Sequence, residues 1–130
     1  MELKLTTTES EKFFYNAMCN GLGFVLSVYD LELHYNADEY ALARESLAIK
    51  DDVVCFEDVL MQMLRMGYKL TIKDIGCDGE FDCTIGLEDV HSRVQRSPIK
   101  HLMDMENMRD DGDTADAILQ HVFYGTYIFG

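Results

Sequence analysis

Apolar positions follow two periods along this chain, and the switches between them mark out its elements. Phe13, Phe14, Ala17 and Met18 recur at helical spacing. Thr8 and Glu11 ahead of them have the spacing of a capping box, and Gly21 is placed as a helix stop. From Phe24 to Tyr35 the pattern reads as extended, with Leu31, Leu33 and Tyr35 alternating against Glu32 and His34. Asn36 with Glu39 can cap a helix over residues 37–49, although its apolar face is poorly defined. A clearer amphipathic helix covers residues 56–66, with Phe56, Val59, Leu60, Met63 and Leu64 on one face and Gly67 ending it.

The period then changes to two. Residues 68–75, YKLTIKDI, alternate and are β-branched, and residues 80–86, EFDCTIG, supply a partner strand. Residues 87–95 return to helical spacing, and Pro98 suits the start of a further turn or helix. Residues 109–116 form a loop into a last helix carrying Ala115, Ile118, Leu119, Val122 and Phe123. The predicted fold is α+β: a single domain over residues 1–130, with an antiparallel sheet containing the 68–86 hairpin packed on four to five helices. Docking as a terminal strand is the default expectation for the apolar closing segment YGTYIFG. Phe123, Tyr124, Tyr127 and Phe129 are also candidates for a homodimer interface, because contiguous exposed apolar surface is unusual in a soluble monomer.

Charge changes the picture. Asp and Glu number 24 against 11 Lys and Arg, a formal net charge of -13. Such a surface repels phosphate backbones and anionic membranes, and favours cations and basic partners. Direct nucleic-acid binding is therefore not expected. No apolar run approaches the roughly 18 residues of a membrane span, and the first twelve residues lack the apolar core of a signal peptide. Four cysteines without an export signal indicate reduced thiols in the cytoplasm. Cys19 and Cys55 lie in apolar helical patterns and read as buried packing residues.

The stretch DIGCDGEFDC (74–83) is the densest candidate for chemistry. Against a calcium loop starting at Asp78, Glu80 and Asp82 fall at the third and fifth positions and Ile85 at the apolar eighth. Cys83 stands where glycine is needed, Asp89 where the long bidentate glutamate belongs, and strands flank the segment in place of helices. Asp78-Gly79 is instead a strong signal for a two-residue type I′ turn. That turn would pair Ile72 with Ile85 and Lys73 with Thr84. Leu70, Ile72, Phe81, Cys83 and Ile85 would then face the core, and Cys77 and Cys83 would point to opposite faces.

A second acidic group comprises Asp104, Glu106, Asp110, Asp111, Asp113 and Asp116, in which Asp113 is well placed as a helix N-cap. Asp78, Glu80, Asp82, Asp110, Asp111 and Asp113 are the candidate binding residues. The four histidines show neither a helical i, i+4 pair nor HExxH spacing, and there is no CxxC pair, so no metal ligand set is assigned. His91 lies next to Asp89 and Glu88 in sequence, but such near neighbours do not face one another on a helix. Arg93, Arg96 and Lys100 form a small basic stripe whose simplest use is pairing with surrounding carboxylates. No nucleophile elbow, phosphate loop or dinucleotide fingerprint is present, so neither catalytic residues nor a cofactor are assigned.

Residues EDVLMQMLRMG (57–67), LTIKD (70–74), TIGLEDVHSRVQ (84–95) and TADAILQHVFYG (114–125) together resemble small proteins of bacterial phages and conjugative elements. The resemblance brings no activity; it implies an accessory protein of a mobile element. The function expected is non-catalytic binding of another macromolecule, a protein partner such as a DNA-binding protein, with the acidic face imitating nucleic acid. Two other classes stay open. One is a divalent-cation-binding protein using residues 78–89 or 104–116; the other is an enzyme whose site is assembled from distant residues.

Overall fold

The computed structural model describes residues 4–48 and 54–130. Ile49, the last residue of the second expected helix, lies outside them. Among the described residues the chain forms α1 (Thr7–Val28), β1 (Leu31–His34), α2 (Ala37–Ala48), α3 (Phe56–Arg65), β2 (Leu70–Asp74), β3 (Cys83–Ile85), α4 (Leu87–Arg93), a 3-10 turn (Val94–Arg96), α5 (Ile99–Glu106) and α6 (Gly112–Tyr124). This is a small α+β domain, with six α-helices against the four to five expected.

α6 organises the rest. Every residue from Thr114 to Phe123 is buried, as expected of a helix covered on all sides. Its main neighbour is α1, and the closeness of that contact explains the largest departure from the sequence reading. Gly21 does not stop the first helix. A Cβ on it would lie 2.6 Å from the Ala115 Cβ, so the glycine is there to let two helix backbones approach. α1 therefore continues to Val28, and only residues 31–34 of the expected 24–35 strand are extended. The reversal falls at Asp30, which has a positive φ of 53°.

The capping box of α1 also lies two residues earlier than its spacing suggested. Thr6 Oγ1 accepts from Glu9 N at 3.1 Å, and Thr6 N donates to Glu9 Oε1 at 2.9 Å. Glu11 is used elsewhere, accepting from Arg65 Nε at 2.8 Å and lying 2.9 Å from His91 Nε2. Asn36 does cap α2, its Oδ1 accepting from Asp38 N and Glu39 N. Gly67, at φ 89°, ends the α3 segment as expected.

The sheet runs β1-β2-β3, all antiparallel, with the 68–86 hairpin forming two of the strands. Leu70 pairs with Ile85 and Ile72 with Cys83, two residues away from the pairing expected from a tight hairpin. The turn itself is where the sequence puts it. Asp78 and Gly79 both have positive φ, and Glu80 N donates to Cys77 O at 3.2 Å. The two extra residues are Ile75 and Gly76, whose amides leave the hairpin to donate to Asp30 O. Because the offset is even, the faces survive: Leu70, Ile72 and Ile85 are buried, while Lys73 and Thr84 are exposed.

Two cysteines also depart from expectation. Cys19 and Cys55 are exposed. Cys55 is the N-cap residue of α3, and its Sγ donates to Asp58 Oδ2 at 3.0 Å. Cys19 takes the solvent side of α1, next to the buried Ala17 and Met18.

A cleft closed by the last residues

The carboxylates at the hairpin end shape their own loop. Asp74, buried at 3 % exposure, accepts from Cys77 N at 2.9 Å and Phe81 N at 3.0 Å. Asp82 accepts from Asp74 N at 2.6 Å and lies 3.6 Å from Lys73 Nζ. Asp78 and Glu80 are exposed on the turn. Among the described residues, no group of three or more His, Cys, Asp or Glu is arranged to hold a metal ion.

The second acidic group surrounds the entry to α6. Its N-cap is Asp111 rather than Asp113, with Asp111 Oδ1 accepting from Thr114 N at 3.1 Å. That bond leads the causes holding the Asp111 carboxyl below its usual range. Asp110 accepts from the Asn20 side-chain amide on α1. Asp113, one position inside the helix, is exposed.

At the other end of α6, Gly125 (φ 78°) caps the helix in the left-handed conformation and turns the chain back along it. The returning segment is not the terminal strand that its composition suggested. Three of its backbone polar groups are satisfied by one side chain, Gln120, which is fully buried. Gln120 Oε1 accepts from Ile128 N and Phe129 N, both at 2.9 Å, and Nε2 donates to Phe129 O at 3.2 Å. The same Nε2 donates to Asp116 Oδ1 at 2.7 Å, while Tyr29 OH donates to Asp116 Oδ2 at 2.6 Å. Phe129 stacks on Tyr29 with centroids 4.8 Å apart and meets Phe81 of the hairpin edge-on at 5.2 Å. Tyr127 lies edge-on to His121, whose Nδ1 donates to Ala117 O at 2.7 Å.

Between α1, α6 and this returning segment lies a cleft of about 550 Å³ lined by Tyr29, Asp113, Asp116, Tyr127, Ile128, Phe129 and Gly130. Its field is negative. Burial first, then the Asp116 hydrogen bond and charge, push the Tyr29 hydroxyl up to about 12. Burial and the Asp116, Asp113 and Asp111 carboxylates likewise raise Tyr127. Asp116 is 7 % exposed, yet among the described residues no basic side chain forms an ion pair with it.

The structure thus brings Asp113, Tyr127 and Phe129 of the sequence candidates into one cleft. It leaves Asp78, Glu80 and Asp82 on the hairpin, and buries Phe123 at 3 % exposure. Tyr124 is partly buried; among the described residues its hydroxyl has no hydrogen-bond partner, and burial leads the causes raising its pKa. The basic stripe is divided, because Arg93 Nη1 donates to Val122 O and Phe123 O at the end of α6 while Nη2 lies 3.4 Å from Asp89. Sequence reasoning missed Tyr29, which it assigned to a strand, and Gln120. The available signal was polar: Asp116 and Gln120 stand four apart on either side of the apolar Ala117, Ile118 and Leu119, and buried polar groups need partners. The chain matches no family model, and neither curated proteins nor solved structures give a match.

Proposed function

We propose that this chain is a non-catalytic acidic protein of the cytoplasm that works by binding a basic macromolecular partner. One observation carries the reading. The six carboxylates of Asp104, Glu106, Asp110, Asp111, Asp113 and Asp116 are gathered around the junction of α5 and α6. None of them is in an ion pair among the described residues. Unpaired carboxylates concentrated in one region produce a local field that steers cationic surfaces, and this region adds to an already large net negative charge. No described helix is long and apolar enough to cross a membrane. A DNA-binding protein is the partner class whose surface such a field suits, and the resemblance to mobile-element proteins supports an accessory role of that kind.

The test compares partners captured from bacterial lysate by the wild-type protein and by a variant carrying Asp104→Asn, Glu106→Gln, Asp110→Asn and Asp113→Asn. Asp111 is kept because it caps α6. The expected result is a DNA-binding protein retained at low salt, released at high salt, and lost by the variant. Equal capture by both proteins, or none by either, overturns the proposal.

A further inference from the structure

We infer that the cleft between Tyr29 and the closing segment binds an alkylammonium group, seated against the Asp113 and Asp116 carboxylates and walled by Tyr29 and Tyr127. This deepens the basic-partner reading, on which it rests for the source of the group.

Asp116 is the buried charge of this cleft. A carboxylate with 7 % exposure loses most of its hydration, and full compensation needs an opposite charge as well as hydrogen bonds. Its two oxygens each receive one neutral donor, Tyr29 OH and Gln120 Nε2. These fix the carboxylate in orientation without neutralising it. Asp113, one turn earlier on α6, adds a second negative charge to the same cleft. A cation entering here would meet carboxylates that are already positioned, and aromatic rings whose faces favour positive charge.

The lining also selects the kind of cation. Calcium or magnesium needs about six oxygen ligands in a closed shell; among the described residues no cluster is arranged to hold a metal ion, and Ile128 and Phe129 take up part of this cleft's wall. Guanidinium binds best as a two-pronged fork on a free carboxylate. The buried Asp116 offers no such edge, because both oxygens are already engaged, which leaves a fork only the exposed Asp113. An ammonium on an alkyl stem needs only a point contact at its head and apolar walls for its methylenes. The volume of about 550 Å³ is in the range of small-molecule sites. A lysine side chain of a partner and a free polyamine both carry this chemistry.

The experiment titrates the full chain with spermidine, with a lysine-containing peptide and with the same peptide carrying arginine. It is followed by calorimetry and by NMR of the tyrosine rings. The variants are Asp113→Asn and Tyr127→Leu, both at exposed positions, and a control of greater charge loss on the hairpin, Asp78→Asn with Glu80→Gln. The expected result is movement of the Tyr29 and Tyr127 ring signals and about tenfold weaker binding in each cleft variant. The hairpin control should bind nearly as wild type, and the arginine peptide more weakly than the lysine peptide. Preference for the peptide assigns the group to a partner's lysine; preference for spermidine assigns it to a free polyamine. Equal weakening by the hairpin control, or unmoved tyrosine rings, overturns the cleft while leaving the basic-partner reading standing. Spermidine binding at the cleft without capture of any basic partner overturns that broader reading and keeps the cleft.

Discussion

Replacing Gln120 by methionine removes one side chain's polar atoms at nearly constant volume, and four hydrogen bonds with them. Two are from the Ile128 and Phe129 amides, at about 1 kcal/mol each when their acceptor is lost from a site that water can partly reach. The donation to the Asp116 carboxylate is charge-assisted and contributes about 1.5–3 kcal/mol. Apolar burial of the methionine returns about 1–2 kcal/mol. With the Phe129 carbonyl counted at about 1 kcal/mol as well, Gln120→Met should destabilise the fold by about 2.5–5 kcal/mol. Urea unfolding measures the total, and amide exchange locates it: Ile128 and Phe129 should lose their protection, while amides in the middle of α6 exchange only as fast as the lower global stability requires. A loss below about 0.5 kcal/mol, with the two amides still protected, would refute the latch. Gln120→Glu sharpens the test. It keeps an acceptor for the two amides but sets a second carboxylate against Asp116, so its stability deficit should be large at neutral pH and shrink as acid protonates the pair.

Gly21→Ala should destabilise by about 1–3 kcal/mol despite alanine's higher helix propensity, since its Cβ would overlap that of Ala115; the double variant with Ala115→Gly should recover most of the loss in thermal melts. Glu11 provides a pH signature. Burial pushes its carboxyl up, but the hydrogen bonds from Arg65 and His91 outweigh this and leave it below the usual range. A depressed native pKa means that this stabilisation is present above the unfolded value of about 4.3 and is lost as pH falls through the lower native one. The Tm deficit of Glu11→Gln should therefore be largest near neutrality and disappear in acid; a deficit independent of pH would contradict it. Arg93→Met should cost about 1.5–3 kcal/mol by leaving the Val122 and Phe123 carbonyls without their charged donor, measurable as a lower urea midpoint.

What the sequence determined by itself is what neighbours within a few residues decide. The Asp78-Gly79 turn, the Asn36 cap, the end of the α3 segment at Gly67 and the Val59, Leu60, Met63 and Leu64 part of the α3 stripe all depend on local preference, and each is present, whereas Phe56 of that stripe is exposed and Met61 is buried instead. The alternation of Leu70 and Ile72 also placed the correct side of the hairpin on the core, because an even shift in register preserves its faces. In the candidate site, Asp113, Tyr127 and Phe129 were legible as chemistry without being legible as neighbours.

Tertiary structure decided the rest. A glycine after an amphipathic run stops a helix unless another backbone needs its missing Cβ, and Ala115, far along the chain, supplies that need at Gly21. The hairpin register depends on Asp30 accepting from Ile75 and Gly76. Tyr29 meets Asp116 across 87 positions, and Leu5 N meets Gln95 across 90. The period of a sequence records which side of an element is apolar, but not which distant element will cover it. That choice is made when the whole core is packed at once, and buried polar atoms accept only arrangements in which each finds a partner.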